Sequence, residues 1–319
     1  MKINENEFVW VEKYRPQTID DIILPEAYKD IFRGYITNNE IPNLLLTSNN
    51  PGLGKTSIAK ILVKETNADM LFLNGNLDTG VDIMRSRVID FCSSASLDDS
   101  PRIVLIDEFE NLSQNSAAST KSTIEAFPNT TFIFTANYIN KIPEPVRNRM
   151  IHFDFDEIYF KNKSEIGKLI LKRLMYILEN EGVNYDKNDL PKIIKAYYPS
   201  TRGMIQVLQR FSNNQKLELN DTLKEGANIF NLLTDTLKEK DFKEMRKLIN
   251  NVIDCGGFYE YFFKNLDILE DNSKPEAILI LARYQDMDHS ARDKTITLGA
   301  CCVELMSKCK FLKINLKGE

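Results

Sequence analysis

Four short runs in the first half of the chain are apolar along most of their length instead of at alternate positions: NLLLT (43–47), MLFLN (70–74), RIVLID (102–107) and TFIFTAN (131–137). Successive strand residues point to opposite faces, so a strand apolar throughout must be covered on both faces. The intervening stretches, from Thr56, near 82–94 and near 116–127, repeat their apolar residues at helical spacing. Strands and helices in alternation predict an α/β domain on a parallel sheet. A further short strand near Met150 to Phe155 would close it.

Beyond Phe155 the strand signal stops. Helical patterns at about 161–181, 188–197 and 201–213 read as a small helical lid, the second ending at the Tyr198-Pro199 break. The polar stretch FSNNQKLELNDTLKEG (211–226) reads as a linker. Amphipathic patterns near 229–237, 241–253, 257–269, 275–286 and 290–312 then form an all-helical domain. The expected division is a core at 1–157, a lid at 158–218 and a helical domain at 219–319, without internal repeats.

Apolar residues make up 43% of the 319, enough for more than one core. No run of eighteen apolar residues is present, and the opening MKINENEFVW has neither a basic n-region nor an apolar h-region. A protein without membrane insertion, located in the cytoplasm, is expected. The five cysteines form no C-x-x-C pair, so reduced thiols are expected rather than a disulfide framework or a zinc knuckle. With 41 basic and 46 acidic residues the net charge is −5, which confines any nucleic-acid contact to a local basic track.

SNNPGLGKTS (48–57) follows the first apolar run and opens a helix. It fits the phosphate-loop pattern G-x-x-x-x-G-K-[ST], except that Asn49 holds the first glycine position. Gly52, Leu53, Gly54, Lys55, Thr56 and Ser57 would cradle phosphates with backbone N–H groups and a helix N-terminus, Lys55 meeting the outer phosphates and Thr56 a magnesium ion. In RIVLIDEFE four apolar residues are followed by Asp107 and Glu108 at the carboxyl end of the strand, the edge where open α/β sheets bind ligands. There Asp107 would hold the magnesium through water and Glu108 would polarise an attacking water. Asn137, ending TFIFTAN at the same edge, could orient that water beside a γ-phosphate; alone it would read as a turn former.

These elements, together with the opening WVEKYRPQTIDDII, resemble the AAA+ ATPases, and more narrowly the ATPase subunits of sliding-clamp loaders. E-K-Y-R-P-x-x-x-x-D-I is the most specific part of the match. Length and the continuation ILP resemble the large subunits of T4-like bacteriophage clamp loaders. The resemblance implies an AAA+ P-loop core, a three-helix lid and a collar that holds subunits in a ring. It also implies an adenine pocket lined by Val11, Glu12, Lys13, Tyr14, Arg15, Pro16 and Ile23. Arg202, in YPSTRGMIQVL, takes the place of the sensor-2 arginine that reaches the phosphates from the lid; helix-terminal solvation is the alternative.

In the family a trans-acting arginine finger precedes the last core strand. The matching stretch here is PVRNRMIHFDF, giving Arg149 that position with Arg147 as the alternative, and an ordinary surface arginine as the plainer reading. Arg85 and Arg87 in NGNLDTGVDIMRSRVIDF match the DNA-tracking region, whose phosphate contacts position without reading sequence. Lys121 stands where relatives place an arginine coupling DNA to the catalytic carboxylate, and FCSSASL (91–97) resembles the segment that touches the clamp. His152 and His289 read as structural. Phe258, Tyr259, Tyr261, Phe262 and Phe263 read as core or subunit-contact surface.

The implied function is an ATP- and Mg²⁺-dependent subunit that opens a sliding clamp and places it on primer-template DNA. Its partners would be the clamp, copies of itself and a non-identical subunit. Another DNA-directed AAA+ motor, such as a branch-migration helicase or helicase loader, is one alternative. A non-hydrolysing scaffold is the other, and Lys55, Thr56 and Glu108 count against it.

Overall fold

Leu44, Leu45 and Leu46 are fully buried although they point alternately to the two faces of strand β1 (Leu44–Thr47). Helices therefore cover the sheet on both sides. In the computed structural model, which describes residues 7–77, 81–94, 100–219, 229–250, 252 and 255–312, β1 lies inside a five-stranded parallel sheet. The other strands are β2 (Asp69–Asn74), β3 (Arg102–Asp107), β4 (Thr130–Ala136) and β5 (Ile151–Asp154), in the order β2-β3-β4-β1-β5. β1 pairs with both β4 and β5, Thr47 standing opposite Ala136 on one side and Asp154 on the other. β3 runs parallel between β2 and β4, Asp107 opposite Asn74 and Ile106 opposite Phe134, so the carboxyl ends of all these strands meet at one edge.

Two compact units are resolved by their internal contacts. The first comprises Met1–Asn184 and Pro199–Leu217, the second Tyr185–Tyr198 and Glu218–Glu319. The first holds the sheet and helices α1 (Trp10–Lys13), α2 (Glu26–Asn38), α3 (Lys55–Glu65), α4 (Val81–Ser93), α5 (Gln114–Ala126), α6 (Glu144–Arg147), α7 (Phe155–Lys161) and α8 (Lys163–Asn180). Its core includes Leu73, Val104, Ile106, Phe132 and Phe134, with Phe109 stacked on Phe134 at 4.5 Å between ring centroids. Each such fully buried large apolar side chain contributes about 1.5–3 kcal/mol of transfer free energy.

Helix α9 (Asp189–Tyr197) belongs to the second unit and α10 (Thr201–Phe211) to the first. The start of the stretch read as a linker is instead a hairpin, Ser212–Asn213 pairing with Lys216–Leu217. Asn214 and Gln215 supply the two positive φ angles of its turn, as a two-residue hairpin requires. Residues 220–226 of that stretch lie outside the described residues. Helices α1, α2, α6 and α7 had no counterpart in the sequence reading.

The second unit also contains α11 (Ile229–Glu239), α12 (Phe242–Ile249), α13 (Cys255–Lys264), α14 (Lys274–Ser290) and α15 (Lys294–Lys308). Leu233, Phe258, Tyr259, Phe262, Ile280, Leu298, Cys301 and Cys302 form its core, whereas Phe263 is exposed. All five cysteines are free thiols. No helix among the described residues is long and apolar enough to cross a membrane.

Candidate nucleotide site

The chain leaves β1 through Ser48 and turns into α3 by way of Gly52 and Gly54, at φ 80° and 98°. Left-handed backbone of this kind is open to glycine and strained for other residues. At Gly52 a Cβ would in addition fall 2.5 Å from that of Arg202. The first amide of α3 to find a backbone acceptor is that of Ile58, which donates to Gly54 at 2.9 Å. The amides before it, without intrahelical partners, are available to an anion. A cavity of about 400 Å³ opens over them, lined by Gly52, Leu53, Gly54, Lys55, Thr56 and Ser57.

Lys55 is buried, and its ammonium donates to Asn137 Oδ1 at 2.9 Å and Ser48 O at 3.2 Å. Burial brings its pKa down to about 8 against the opposing pull of Asp156, Glu110 and Asp107. Thr56 Oγ1 donates to Asp107 Oδ1 at 2.7 Å. A hydroxyl and a carboxylate held this close fit a small hard cation that takes the rest of its shell from phosphate oxygens and water. Among the described residues no group of three or more His, Cys, Asp or Glu is placed to hold a metal ion without such help.

Glu108 has φ 57°, a left-handed turn that swings its side chain off the end of β3. Its amide donates to Thr135 Oγ1 at 3.1 Å, and Thr135 donates to Asp107, so one hydroxyl fixes both acidic residues. Burial raises the Glu108 pKa, and the negative charges of Asp107 and Glu110 raise it further, which makes it a stronger base. The side-chain amide of Asn76, just past β2, donates to its carboxylate. Asn137 is held from below, its amide donating to Glu110 Oε1 at 2.8 Å.

The amino-terminal segment supplies the apolar end of the cavity through Val11, Tyr14, Arg15, Pro16 and Ile23, with Tyr159 from α7 and Ile205 from α10. Glu12 and Lys13 do not line it. Glu12 is paired with Arg15 at 2.7 Å and Lys13 with Glu181 at 2.6 Å, so their part is to hold the segment rather than to meet a base. Arg202, near the start of α10, lines the cavity as well.

Arg149 lies elsewhere. It precedes β5, at the amino-terminal edge of the sheet, separated from the cavity by the strand's length of about 13 Å. Its Nε donates to Glu125 Oε1 at 3.0 Å and its Nη1 to Pro145 O at 2.6 Å. Arg147 is partly buried, with a buried Nε that finds no hydrogen-bond partner among the described residues. Arg87 is exposed on α4, whereas the side chain of Arg85 and residues 95–97 of FCSSASL lie outside the described residues, as does the side chain of His289. Lys121 is half-buried on α5. His152 shares a 2.6 Å hydrogen bond with Thr47.

Sequence reasoning missed Asn76, Glu110, Thr135 and Asp156. The acidic run DEFE was the one available pointer to any of them.

Parallel sheet, glycine-turned loop and acidic strand end together define a P-loop nucleotide-binding protein. Residues 45–157 match the family described as ATPase family associated with various cellular activities (AAA). The sliding-clamp-loader large subunit of Enterobacteria phage T4 is 34% identical over 259 residues, covering 77% of this chain and 78% of that protein. Its counterpart from Escherichia phage RB69 is 31% identical, with the same coverage. The replication factor C small subunit of Methanosphaera stadtmanae is 28% identical over 314 residues, 95% of this chain and 91% of that one. Among solved structures, a RuvB variant from Thermotoga maritima superposes with TM-score 0.55 at 18% identity, over 81% of this chain and 92% of that chain, a likeness of fold. The chain belongs to the AAA ATPases and, within them, to the sliding-clamp-loader family.

Proposed function

We propose that this chain is the ATP-hydrolysing subunit of a sliding-clamp loader acting in DNA replication, assembled in several copies with a non-identical subunit. One observation carries the reading. Lys55, Thr56, Asp107, Glu108, Asn137 and Arg202 converge on one cavity, while Arg149 stands at the opposite edge of the sheet. An arginine so placed cannot serve the site of its own chain, yet it suits the site of a neighbour.

In this reading the loop from Gly52 to Ser57, Lys55 among its residues, binds the phosphates of ATP, and Val11, Tyr14, Arg15 and Pro16 with Ile23 receive the adenine while Glu12 and Lys13 hold their segment in place. Thr56 and Asp107 would hold Mg²⁺, which when bound offsets phosphate charge. Glu108 accepts a proton from the attacking water and Asn137 orients it. Arg202 reaches the phosphates from a lid spanning 158–218, and the helices of 219–319 form a collar. ATP can favour a clamp-opening spiral only by binding it more tightly than the relaxed assembly. Arg85 and Arg87 would track the phosphates of primer-template DNA without sequence preference.

The test is an ATPase assay of the purified complex with clamp and primed DNA added separately and together. Stimulation exceeding the sum of the two is expected. Equal turnover with DNA alone would instead favour a DNA motor of another kind, a reading whose support is the fold shared with RuvB, a Holliday junction branch migration motor.

A further inference from the structure

The position where the phosphate-loop pattern places its first glycine is occupied by Asn49, and the structure gives the reason it can be. Asn49 keeps an ordinary negative φ, so the backbone there makes no demand that only glycine meets. The segment is instead held by a side chain from just past the neighbouring strand β5. Asp156 Oδ2 accepts the Asn49 amide at 2.6 Å, and Oδ1 accepts Asn50 Nδ2 at 2.7 Å and lies 3.0 Å from Ser48 Oγ.

Register explains the meeting. Thr47 ends β1 directly opposite Asp154, which ends β5. Two residues further on, the backbone leaving β1 has reached Asn49 and that leaving β5 has reached Asp156, so equal steps from paired strand ends bring them together. Asp154 meanwhile caps α7, accepting the amides of Asp156 and Glu157 at 2.9 and 3.2 Å. That leaves the Asp156 carboxylate to the loop. A carboxylate with several donors makes hydrogen bonds roughly twice as strong as neutral ones. The same three loop residues lead directly to Pro51 and Gly52, and Ser48 O is an acceptor for the Lys55 ammonium.

We propose that Asp156 is a positioning residue of the nucleotide site, fixing Ser48, Asn49 and Asn50 so that the cradle beyond them is preformed before the phosphates arrive. This rests on the reading of the Lys55 loop as a nucleotide site. Its consequence is a split in kinetics. Asp156 touches no reacting atom, so its loss weakens binding by leaving the loop to be ordered at binding's expense, while turnover at saturation is little altered.

The test uses the full chain, with a fluorescent N-methylanthraniloyl ATP as probe beside steady-state ATPase. Asp156→Ala should raise Kd roughly tenfold with kcat within about twofold of the parent. Asp156→Asn, which keeps an acceptor for the Asn49 amide, should recover most of that loss. Asn50→Ala removes one donor from the loop side: it should raise Kd about threefold alone and add little on the Asp156→Ala background. An Asp156→Ala chain that binds the probe like the parent overturns the proposal, as does additivity of the two substitutions. Should Asp156→Ala fail to fold, parental affinity in Asn50→Ala overturns it equally. Lys55→Ala separates the two levels: if it too keeps full affinity, the nucleotide-site reading itself fails, whereas its loss beside an unaffected Asp156→Ala sinks only the positioning role.

Discussion

The side-chain amide of Asn76 donates to the carboxylate of Glu108, joining the turn after β2 to the acidic end of β3. A carboxylate occupied in this way is drawn off a water it would otherwise polarise. The contact is reinforced next door, where Gly75 N–H donates to Asp107 O at 2.8 Å. Asn76→Ala should therefore raise basal ATP turnover of the isolated chain about threefold to tenfold, the range expected for release of one solvent-exposed hydrogen bond worth about 0.7–1.4 kcal/mol. Nucleotide affinity should stay within a factor of two. Unchanged or slower turnover would show that the pairing does not restrain Glu108.

Lys55 yields a pH dependence of defined sign. Burial sets its pKa at about 8, below the ordinary 10.5, and phosphate binding favours the charged form. Affinity for ATP should be level below about pH 7 and fall as pH rises through 8, by up to about tenfold per unit while the bound lysine stays protonated. Folding responds in the opposite direction. Between 8 and 10.5 the unfolded chain keeps a proton that the folded chain gives up, so the penalty of burying Lys55 is present below 8 and fades as pH rises. Titration calorimetry in buffers of differing ionisation enthalpy reads the proton taken up on binding. No uptake at pH 8.5 would contradict the shift. Lys55→Ala should abolish binding and with it the pH effect.

The parts of the site that lie in one contiguous stretch were legible in the sequence. Gly52 to Thr56 carry their own backbone instructions, and Asp107 and Glu108 announce themselves by ending an apolar run. The lining of the cavity by Tyr14, Pro16 and Ile23 came from resemblance alone. What spacing could not give was pairing across the sheet. Asn76 meets Glu108 because β2 neighbours β3, Thr135 meets Asp107 because β4 neighbours β3, and Asp156 meets Asn49 because β5 neighbours β1. Strand order decides all three, and no local pattern encodes it. The Asn214-Gln215 turn escaped for another reason: neither residue is glycine, although both have positive φ.

Glu181, at the end of α8, anchors the amino-terminal segment twice, accepting the Tyr14 hydroxyl at 2.6 Å and pairing with Lys13 at 2.6 Å. On the other side Gln209 of α10 accepts the Trp10 amide at 3.0 Å and donates to Phe8 O at 2.8 Å. The segment that forms the apolar end of the cavity is thus tied to the helices around it rather than to the sheet. Glu181→Ala should raise the KM for ATP about threefold to tenfold with kcat nearly unchanged, and lower Tm by a few degrees, since two partly buried contacts are lost. A GTP control separates base from phosphate recognition. Equal loss for both nucleotides is expected, because Glu181 anchors the segment through Tyr14 and Lys13 and does not itself line the cavity.

Arg149 offers the sharpest distinction between a site complete in one chain and a site completed by its neighbour. Its guanidinium is engaged by Glu125 and by Pro145 O, at the sheet edge away from the cavity. Arg149→Ala should leave ATP affinity and the slow turnover of the isolated chain within about twofold of the parent. In the assembled complex with clamp and primed DNA the same substitution should cut turnover by a factor of about 10³ or more, the scale on which arginine fingers act. Mixing tests the direction of the effect: Arg149→Ala chains combined with Lys55→Ala chains should regain activity at interfaces that unite an intact Lys55 site with an intact Arg149. If Arg147→Ala abolishes stimulated turnover and Arg149→Ala does not, the finger is two residues earlier. Loss of turnover in the isolated Arg149→Ala chain would place the arginine's effect within its own subunit, and the neighbour's contribution would have to come from another residue.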